Sequence, residues 1–585
     1  MGIFSRLSWF FKHQWKQYLL GVIALILVAI CNVIPPRIIG DIVDAVSKKN
    51  MTQRFLIINL VILIVTGIGQ YLLRFVWRKM IFGSSYVLER DLRSRLFRHF
   101  MRMDTTFYQK WRTGDLMAHA TNDIDAVRDV AGPGILTLAD SLITGSSMIL
   151  AMGLLIDWQL TGLAVLPMLL LAVMANVLGK KVHFAFKNSQ AAFSSINNKT
   201  QESVVGIKVL KALGQEKEDE ADFDKYVDQN IKANKRSYRL DSLFDPLTTV
   251  IMGLSYVITI IFGGLAVLHS RITIGQLVSF ITYMAELMWP MYAVGSLFNL
   301  LERGSASYDR INELLQEKSS LVQPKDALTT VPNATLNFDI NTFHYPDDQA
   351  VALSNVDFDL APGQTLGIVG PTGGGKSTII SLLMRDFDHY DGKIEVGQID
   401  IRKYNLESYL ATIGYVPQTN FLFSTTVRDN VRFANISATQ EQVEAASHIA
   451  DLDGDIARMP EGYDTQVGEL GVSLSGGQKQ RLDIARAILS DPKMLILDDS
   501  LSAVDAKTER NIEARLQKNR QTGTTIIAAS RLSSVENADK ILVIGNGTIL
   551  QQGNHRELLE QAGWYADTYN LQAHRAQIEG RLNHE

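Results

Sequence analysis

The sequence predicts two fused folds: a membrane α-helical domain of six transmembrane helices, joined to an α/β P-loop nucleotide-binding domain. Three observations predict it. Six apolar stretches, near 18–40, 55–77, 135–156, 160–179, 247–268 and 275–299, are each long enough to cross a bilayer as a helix. Gly370-Pro371-Thr372-Gly373-Gly374-Gly375-Lys376-Ser377 is a phosphate-binding loop. Further on, the chain reads Leu474-Ser475-Gly476-Gly477-Gln478, which narrows what the loop is for.

Bulk properties agree with a two-part chain. At 585 residues it exceeds one ordinary domain. Lys and Arg number 57 against 61 Asp and Glu, a formal charge of −4, which argues against nucleic acid as a partner. Hydrophobic residues make up 46% and charged residues 20%, with a mean hydropathy of +0.05, as expected of an apolar half joined to a polar one. Cys31, the single cysteine, lies in an apolar segment, so one chain holds no disulfide framework. Arg6, Lys12 and Lys16 precede an apolar span too long for the core of a cleavable signal, and Pro35-Pro36 follow within it.

Taken in order, the spans are joined by two kinds of connection. Those near 47–54, Asp157-Trp158 and 269–274 are short. Those at about 78–132 and 180–245 are long, charged and helix-patterned, with Arg90, Arg93, Arg95, Arg98 and Arg102 in the first and Lys180, Lys181 and Lys187 in the second. The positive-inside bias places the N-terminus, both long connections and the C-terminal half in the cytosol, against the minor pull of Lys48, Lys49 and Arg54. The expected location is the cell membrane, multi-pass. Helices of such length extend tens of ångströms beyond the bilayer at about 1.5 Å per residue. The expected divisions are a membrane domain over 1–316, a linker over 317–333 with Pro324 and Pro332, a nucleotide-binding domain over 334–573 and a polar tail over 574–585. Leu366 to Val369 reads as a strand feeding the phosphate loop, and Thr378 to Met384 as the helix behind it. Met494 to Leu497 and Thr525 to Ala528 read as further buried strands of a parallel sheet.

Chemistry concentrates in the second half. Gly370, Gly373, Gly374 and Gly375, with Thr372 among them, let backbone N–H groups close around phosphate oxygens, and Thr378 opens the helix behind. Lys376 reaches the β- and γ-phosphates and Ser377 ligates Mg²⁺, so ATP and Mg²⁺ are the expected cofactors. Asp498 ends an apolar run, which puts its carboxylate at a buried strand end where it can hold Mg²⁺ through water. Tyr345, in Phe343-His344-Tyr345, is the candidate platform for adenine, with a core tyrosine as the alternative. In Ser475-Gly476-Gly477-Gln478, two glycines after a serine bring backbone N–H groups and a helix N-terminus to where an anion docks.

The phosphate loop, then Leu474 to Gln478 (LSGGQ), then Met494-Leu495-Ile496-Leu497-Asp498 resembles one family, the ATP-binding cassette (ABC) proteins, and the six spans resemble its exporter half-transporters. The resemblance implies a dimer in which the LSGGQ surface of one subunit closes over the ATP held by the other. It implies that Gln418, in Tyr415-Val416-Pro417-Gln418, senses Mg²⁺ and the attacking water. Asp505, in Ser502-Ala503-Val504-Asp505, would belong to the loop that crosses the dimer interface. Gly114-Asp115-Leu116 with Thr121-Asn122-Asp123, and Gly206-Ile207-Lys208 with Glu216, resemble the two cytosolic coupling loops. Thr465 to Glu469 resembles the segment that meets them, although Gln466 and Leu470 depart from the charged residues common there.

Two further departures bear on catalysis. Asp499 stands where the family carries a glutamate that polarises water. A base drawn back by about 1 Å costs on the order of a hundredfold in rate. Ser530, in Ile526-Ile527-Ala528-Ala529-Ser530-Arg531, stands where the family carries a histidine on the γ-phosphate, and its hydroxyl is shorter and stays neutral. Together they imply a site kept for binding ATP rather than for fast turnover. The partner would then be a second half-transporter with Glu and His at these positions, its competent site completed by this chain's LSGGQ, as in the heterodimeric bacterial multidrug exporters. A slow homodimer is the alternative.

Glu286 lies eleven residues into the sixth span, near the bilayer midplane. A carboxylate there marks a functional site, favouring cationic amphiphiles if it faces a cavity, or else a polar contact between helices. Met284, Met288 and Met291, with Gly295, share one helical face that suits either varied substrates or helix packing. Asp140, in the third span, is a second candidate. The expected function is ATP-driven extrusion of drugs or other amphiphiles through the lipid bilayer. Export of lipid, peptide or a metabolite, and an ATP-gated sensor or channel, are the alternatives.

Overall fold

The computed structural model describes residues 2–346, 348–468 and 474–582, with the backbone alone at 172, 175, 176, 291, 292, 294–296, 298 and 575–582. Glu469 and Leu470, expected to meet the coupling loops, lie outside the described residues. Two compact units divide the chain: Met1–Met101 with Thr113–Glu317, and Arg102–Arg112 with Lys318–Glu585.

The first unit is helical. Its principal helices are α1 (Trp15–Ser47), α2 (Gln53–Phe100), α4 (Thr113–Ala118), α5 (Ile135–Leu155), α6 (Trp158–Val165), α7 (Leu169–Val205), α8 (Ile207–Leu213), α9 (Glu216–Asp241), α10 (Phe244–Leu268) and α11 (Ile274–Gln316), while α3 (Thr105–Lys110) belongs to the second unit. Within a bilayer each peptide group must be bonded inside its own segment, which long helices achieve. Among the described residues, the helical stretches Trp15–Ser47, Gln53–Phe100, Thr113–Leu155 and Glu216–Leu268 are long and apolar enough to cross a membrane. The other two expected spans fall on α6–α7 and on α11. Side chains set the helix starts: Thr52 accepts from the Phe55 N–H at 3.2 Å, Asp157 from the Leu160 N–H at 2.8 Å, and Thr273 with Gln276 forms a reciprocal cap.

Helices α1 and α11 approach closely because two glycines allow it. A Cβ on Gly40 would lie 2.0 Å from Ser279 Oγ, and one on Gly275 would lie 2.0 Å from the Gly40 carbonyl oxygen. The contact is polar as well as tight. Gly275 N–H donates to Asp44 at 2.7 Å, and Ser279 and Tyr283 donate to the Pro36 and Val33 carbonyls at 2.8 and 2.7 Å. Gly114 to Asp123, expected as a loop, is helical and lies in the first unit. Asp123 is buried there, bonded to His119 at 2.6 Å and accepting from Ser307 at 2.8 Å and Arg310 Nε at 3.0 Å.

The second unit holds two sheets. A six-stranded sheet runs in the order β10 (Thr548–Gly553), β9 (Lys540–Gly545), β3 (Thr365–Val369), β8 (Thr524–Ala528), β7 (Met494–Asp498), β6 (Ile413–Val416). Its β9-β3-β8-β7-β6 run is parallel and β10 is antiparallel. Strands β7 and β8 are buried along their whole length, so they read as unbroken apolar runs rather than alternating ones. The second sheet is β2 (Val351–Leu360), β1 (Leu336–His344), β4 (Asp391–Val396), β5 (Ile399–Asp400). Four helices matter below: α12 (Lys376–Leu383), α13 (Gly476–Leu489), α14 (Ala506–Asn519) and α15 (Trp564–Leu582). The short helix α3 (Thr105–Lys110) is part of this unit. Asp104 caps it by accepting the Phe107 N–H at 3.0 Å and also accepts from the Ser319 and Ser320 hydroxyls at 2.8 Å each, while Thr105 donates to Asp386 at 3.0 Å.

Gly40→Leu should lower the stability of the full chain by about 1–3 kcal/mol through overpacking, visible as a lower Tm in detergent. Gly67→Leu, at a helical glycine with nothing within 4 Å, should leave Tm nearly unchanged. Equal shifts would show that the α1–α11 approach does not set the stability.

Candidate functional site

The phosphate loop is built on the central strand. β3 delivers the chain to Gly370, whose φ of +146° and contact with β9 exclude a side chain: a Cβ there would lie 1.9 Å from the Ile544 carbonyl oxygen. At Gly374 the same oxygen would be 2.6 Å away. The loop therefore lies flat against the end of β9 and leads into the N-terminus of α12, the arrangement that suits phosphate. Lys376 Nζ donates to the Gly370 and Pro371 carbonyls at 2.8 and 3.1 Å, so its ammonium curls over the loop. Burial lowers the Lys376 ammonium below its ordinary value, against the opposite pull of Asp499 and Asp498.

Asp498 is buried at the end of β7 and Ser377 donates to it. Burial raises its carboxyl above the ordinary range, opposed by the Ser377 bond and by Lys376. A buried carboxylate touching a hydroxyl at the mouth of a phosphate loop is a donor set of hard oxygens, which fits Mg²⁺. The glycine cradle, which admits no Cβ, likewise fits a nucleotide phosphate chain. Tyr345 donates to or accepts from Thr378 Oγ1 at 2.9 Å and stands edge-on to Phe343 and Phe387, with centroids 5.2 and 5.5 Å away. Gln418 is exposed just past β6.

Asp499 and Ser530 meet. Pairing of β7 with β8 sets Asp498 beside Ala528, and the Asp499 N–H donates to the Ala528 carbonyl at 2.8 Å. The Ser530 backbone N–H then donates to Asp499 Oδ1 at 3.3 Å. Asp499 has a left-handed φ of +47°, a conformation that short polar residues tolerate best. A residue that sequence reasoning missed holds the other side: Gln572 of α15 donates to the Ser530 carbonyl at 3.2 Å and accepts from the Leu532 N–H at 3.0 Å. Nothing in its local sequence marks it.

Ser475 caps α13, accepting the Gln478 N–H at 3.3 Å while its own N–H donates to Gln478 Oε1 at 2.9 Å. Gly476 and Gly477 form the first turn, and a Cβ on Gly477 would sit 3.0 Å from the Ala503 carbonyl. Gln480, buried, accepts the Ala503 N–H at 3.0 Å and donates to Ser502 at 3.3 Å, tying this helix to the segment before Asp505. Asp505 caps α14 by accepting from the Lys507 and Thr508 N–H groups at 3.2 and 3.1 Å. The loop residues Thr372 and Gly373 are exposed, and a Cβ on Gly373 would meet nothing within 4 Å.

In the membrane unit the candidates do not gather. Met284 is fully buried in helix packing, its sulfur 2.9 Å from the Thr259 hydroxyl, whereas Met288 and Glu286 are exposed. The expected single methionine face is thus divided, and the Met291 side chain is outside the described set. Asp140 accepts from Thr144 at 3.0 Å, one turn on.

Comparison with known proteins places this geometry. The family described as ABC transporter transmembrane region matches residues 18–291, and the ABC transporter family matches residues 353–502. The chain belongs to the ABC transporters and is an exporter whose membrane region and ATPase domain share one polypeptide. It is 43% identical over 585 residues, all of this chain and 98% of the relative, to the multidrug resistance-like ATP-binding protein MdlA of Escherichia coli strain K12. It is 39% identical over 571 residues, 98% of each chain, to the probable multidrug resistance ABC transporter ATP-binding/permease protein YheI of Bacillus subtilis strain 168. A bacterial Atm1-family ABC exporter solved with ATP bound superposes with a TM-score of 0.81 at 25% identity, over 95% of this chain and 99% of that one.

Helix α14, which Asp505 opens, carries a buried acid oxygen: among the described residues Glu513 Oε1 has no hydrogen-bond partner, and Glu509 lies beside it. Burial and Glu509 push the Glu513 carboxyl up to about 7. The fold therefore favours the protonated form, so its contribution is full below the ordinary glutamate value and is lost as pH rises through about 7. Glu513→Gln should match wild type near pH 4 and unfold several degrees higher at pH 8, as read by thermal melts of the full chain. Parallel Tm curves across that range would exclude the effect.

Proposed function

We propose that this chain is one half of a heterodimeric exporter of drugs or other amphiphiles, of the BmrC/BmrD type, whose own nucleotide site holds ATP without turning it over quickly. The observation that carries the reading is the Asp499–Ser530 contact. A carboxylate already accepting a backbone N–H, on a side chain one methylene shorter than glutamate, is poorly placed to draw a proton from water. Ser530 in turn offers no cation to the γ-phosphate.

Bound ATP and Mg²⁺ supply a polarised γ-phosphoryl group at the loop. Loop N–H groups and Lys376 grip the phosphates, Ser377 and Asp498 hold the metal, Gln418 orients water, and Tyr345 supports the base. Ser475, Gly476, Gly477 and Gln478, with Asp505, present the surface that completes the partner's site. The N-terminus and both ends of the ATPase unit lie in the cytosol. Relatives whose names carry multidrug resistance support the substrate class, and Glu286, exposed in the sixth span, gives a cationic amphiphile its counter-charge.

Reconstituted alone, the chain should bind an ATP analogue, lose that binding on Lys376→Ala, and show little ATPase activity. The double substitution Asp499→Glu with Ser530→His should raise turnover by on the order of a hundredfold. Robust turnover by the unmodified chain alone would overturn the proposal and leave a homodimer.

A further inference from the structure

A second charged site lies on the helical hairpin of α7 and α9, far along the chain from the ATPase unit. Between the two helices runs a groove of about 890 Å³ into which Lys180, Lys181, Lys232, Lys235, Arg236 and Arg239 project, with Phe184, Ala185 and Leu240 as an apolar floor. All six cations are exposed, and among the described residues none of them forms an ion pair. Ser189 of α7 donates to Asn234 of α9, which sets Lys180, Lys181 and Arg239 toward one end of the groove and Lys232 toward the other.

The charge along this hairpin is sorted. Its acids crowd the distal half of α9, at Glu216, Glu218, Asp219, Glu220, Asp222 and Asp224, where Lys199 reaches Asp219 at 2.7 Å and Asp222 at 3.3 Å. Among the described residues Asp228 and Asp241 bracket the basic half without an ion pair to it, and the sequence of α7 has no acid between Lys180 and Lys199. Six unpaired like charges repel one another, which costs stability unless a counter-charge arrives. Their place is set by the membrane reading, on which this inference rests. Lys180 and Lys181 directly follow the apolar stretch 160–179, and Arg239 lies a few residues before the stretch 247–268. At 1.5 Å per residue, one end of the groove is level with the lipid headgroups.

We propose that this groove binds the phosphate of an anionic phospholipid from the cytosolic leaflet. Lysine and arginine pay little to stay hydrated until a phosphate arrives, and the arginines then bond it in a fork. The apolar floor at Phe184 and Leu240 takes the start of the acyl chains, which a free phosphate does not have.

The test uses the full chain in lipid nanodiscs, with spin-labelled phosphatidylglycerol and phosphatidylcholine as probes. Expected is a several-fold preference of the protein-bound population for phosphatidylglycerol, falling steeply at 1 M salt, where the screening length is about 3 Å. Lys232→Gln, Lys235→Gln, Arg236→Gln and Arg239→Gln together should abolish the preference, while the same change at Lys208, Lys211, Lys217 and Lys225 should keep it. ATP-analogue binding and Tm report folding of both variants. Equal association of the two lipids, or a preference that survives the first set of substitutions, overturns the proposal. Displacement by glycerol phosphate at matched ionic strength as effective as displacement by lipid would replace the lipid with a soluble phosphate. Because the readout is lipid association, it is independent of whether the nucleotide site is slow.

Discussion

The nucleotide site depends on one backbone contact, the seating of the phosphate loop on the Ile544 carbonyl. Because neither Gly370 nor Gly374 can carry a Cβ against that oxygen, β3, β9 and the loop behave as one piece. The clamp extends further. Gly547, in the turn between β9 and β10 with a φ of +74°, donates to the Gly374 carbonyl at 2.9 Å and accepts from the Ser354 N–H at 2.8 Å. Ser354 belongs to β2, so the two sheets are joined by backbone bonds directly at the loop. A phosphate cradle made of N–H groups works only if those groups are already aimed, since reorganising them at binding would consume the gain. Here the aiming is done by main chain, through the Ile544 and Gly547 contacts, with the Lys376 ammonium bonded across the loop to the Gly370 and Pro371 carbonyls.

The elements legible in the sequence were those whose signal is local. Apolar length marked the spans, glycine spacing marked the loop, and unbroken apolar runs marked β7 and β8. What stayed hidden was non-local. Asp104-Thr105 reads as an ordinary helix cap, and nothing in Arg102–Arg112 announces that its bonds go to Ser319, Ser320 and Asp386, some two hundred residues and more along the chain. The family pattern drew attention to Gly114 to Asp123 instead, which packs within the helical unit around Asp123. Gln572 and the partners of Gln480 were not legible for the same reason, since a glutamine's partners depend on which loop the fold brings to it. The methionine stripe divides: helical spacing puts Met284 and Met288 on nearby positions, but Met284 is packed against Thr259 across a helix contact, as the packing alternative expects, and Met288 is exposed.

The charge distribution follows the same division between local and global. In the ATPase unit, departures from ordinary titration arise where burial meets a short list of fixed partners, as at Asp498 with Ser377 and Lys376. On the α7–α9 hairpin the cations are exposed and unpaired, so their collective field, and not any single pair, is the physical quantity that matters. The first kind of site binds one ligand in one pose. The second attracts a class of ligand and is sensitive to salt.

The proposed slow site asks how a nucleotide site could lose speed without losing its place in a dimer. Asp499 and Ser530 are joined to each other and braced by Gln572, and their backbone bonds to Ala528 and Gln572 do not depend on which side chain stands at either position. The left-handed backbone at Asp499 is in fact kinder to aspartate than to glutamate. The surface expected to face a partner is held by different contacts: Ser475 with Gln478, and Gln480 with Ser502 and Ala503. Substitution at the first set therefore leaves the second intact. The two sets touch at Ser502, whose hydroxyl accepts from Gln480 and donates to the Asp499 carbonyl at 2.8 Å, but that bond goes to the Asp499 main chain, so a shorter side chain at this position leaves Ser475, Gly476, Gly477 and Asp505 where they are.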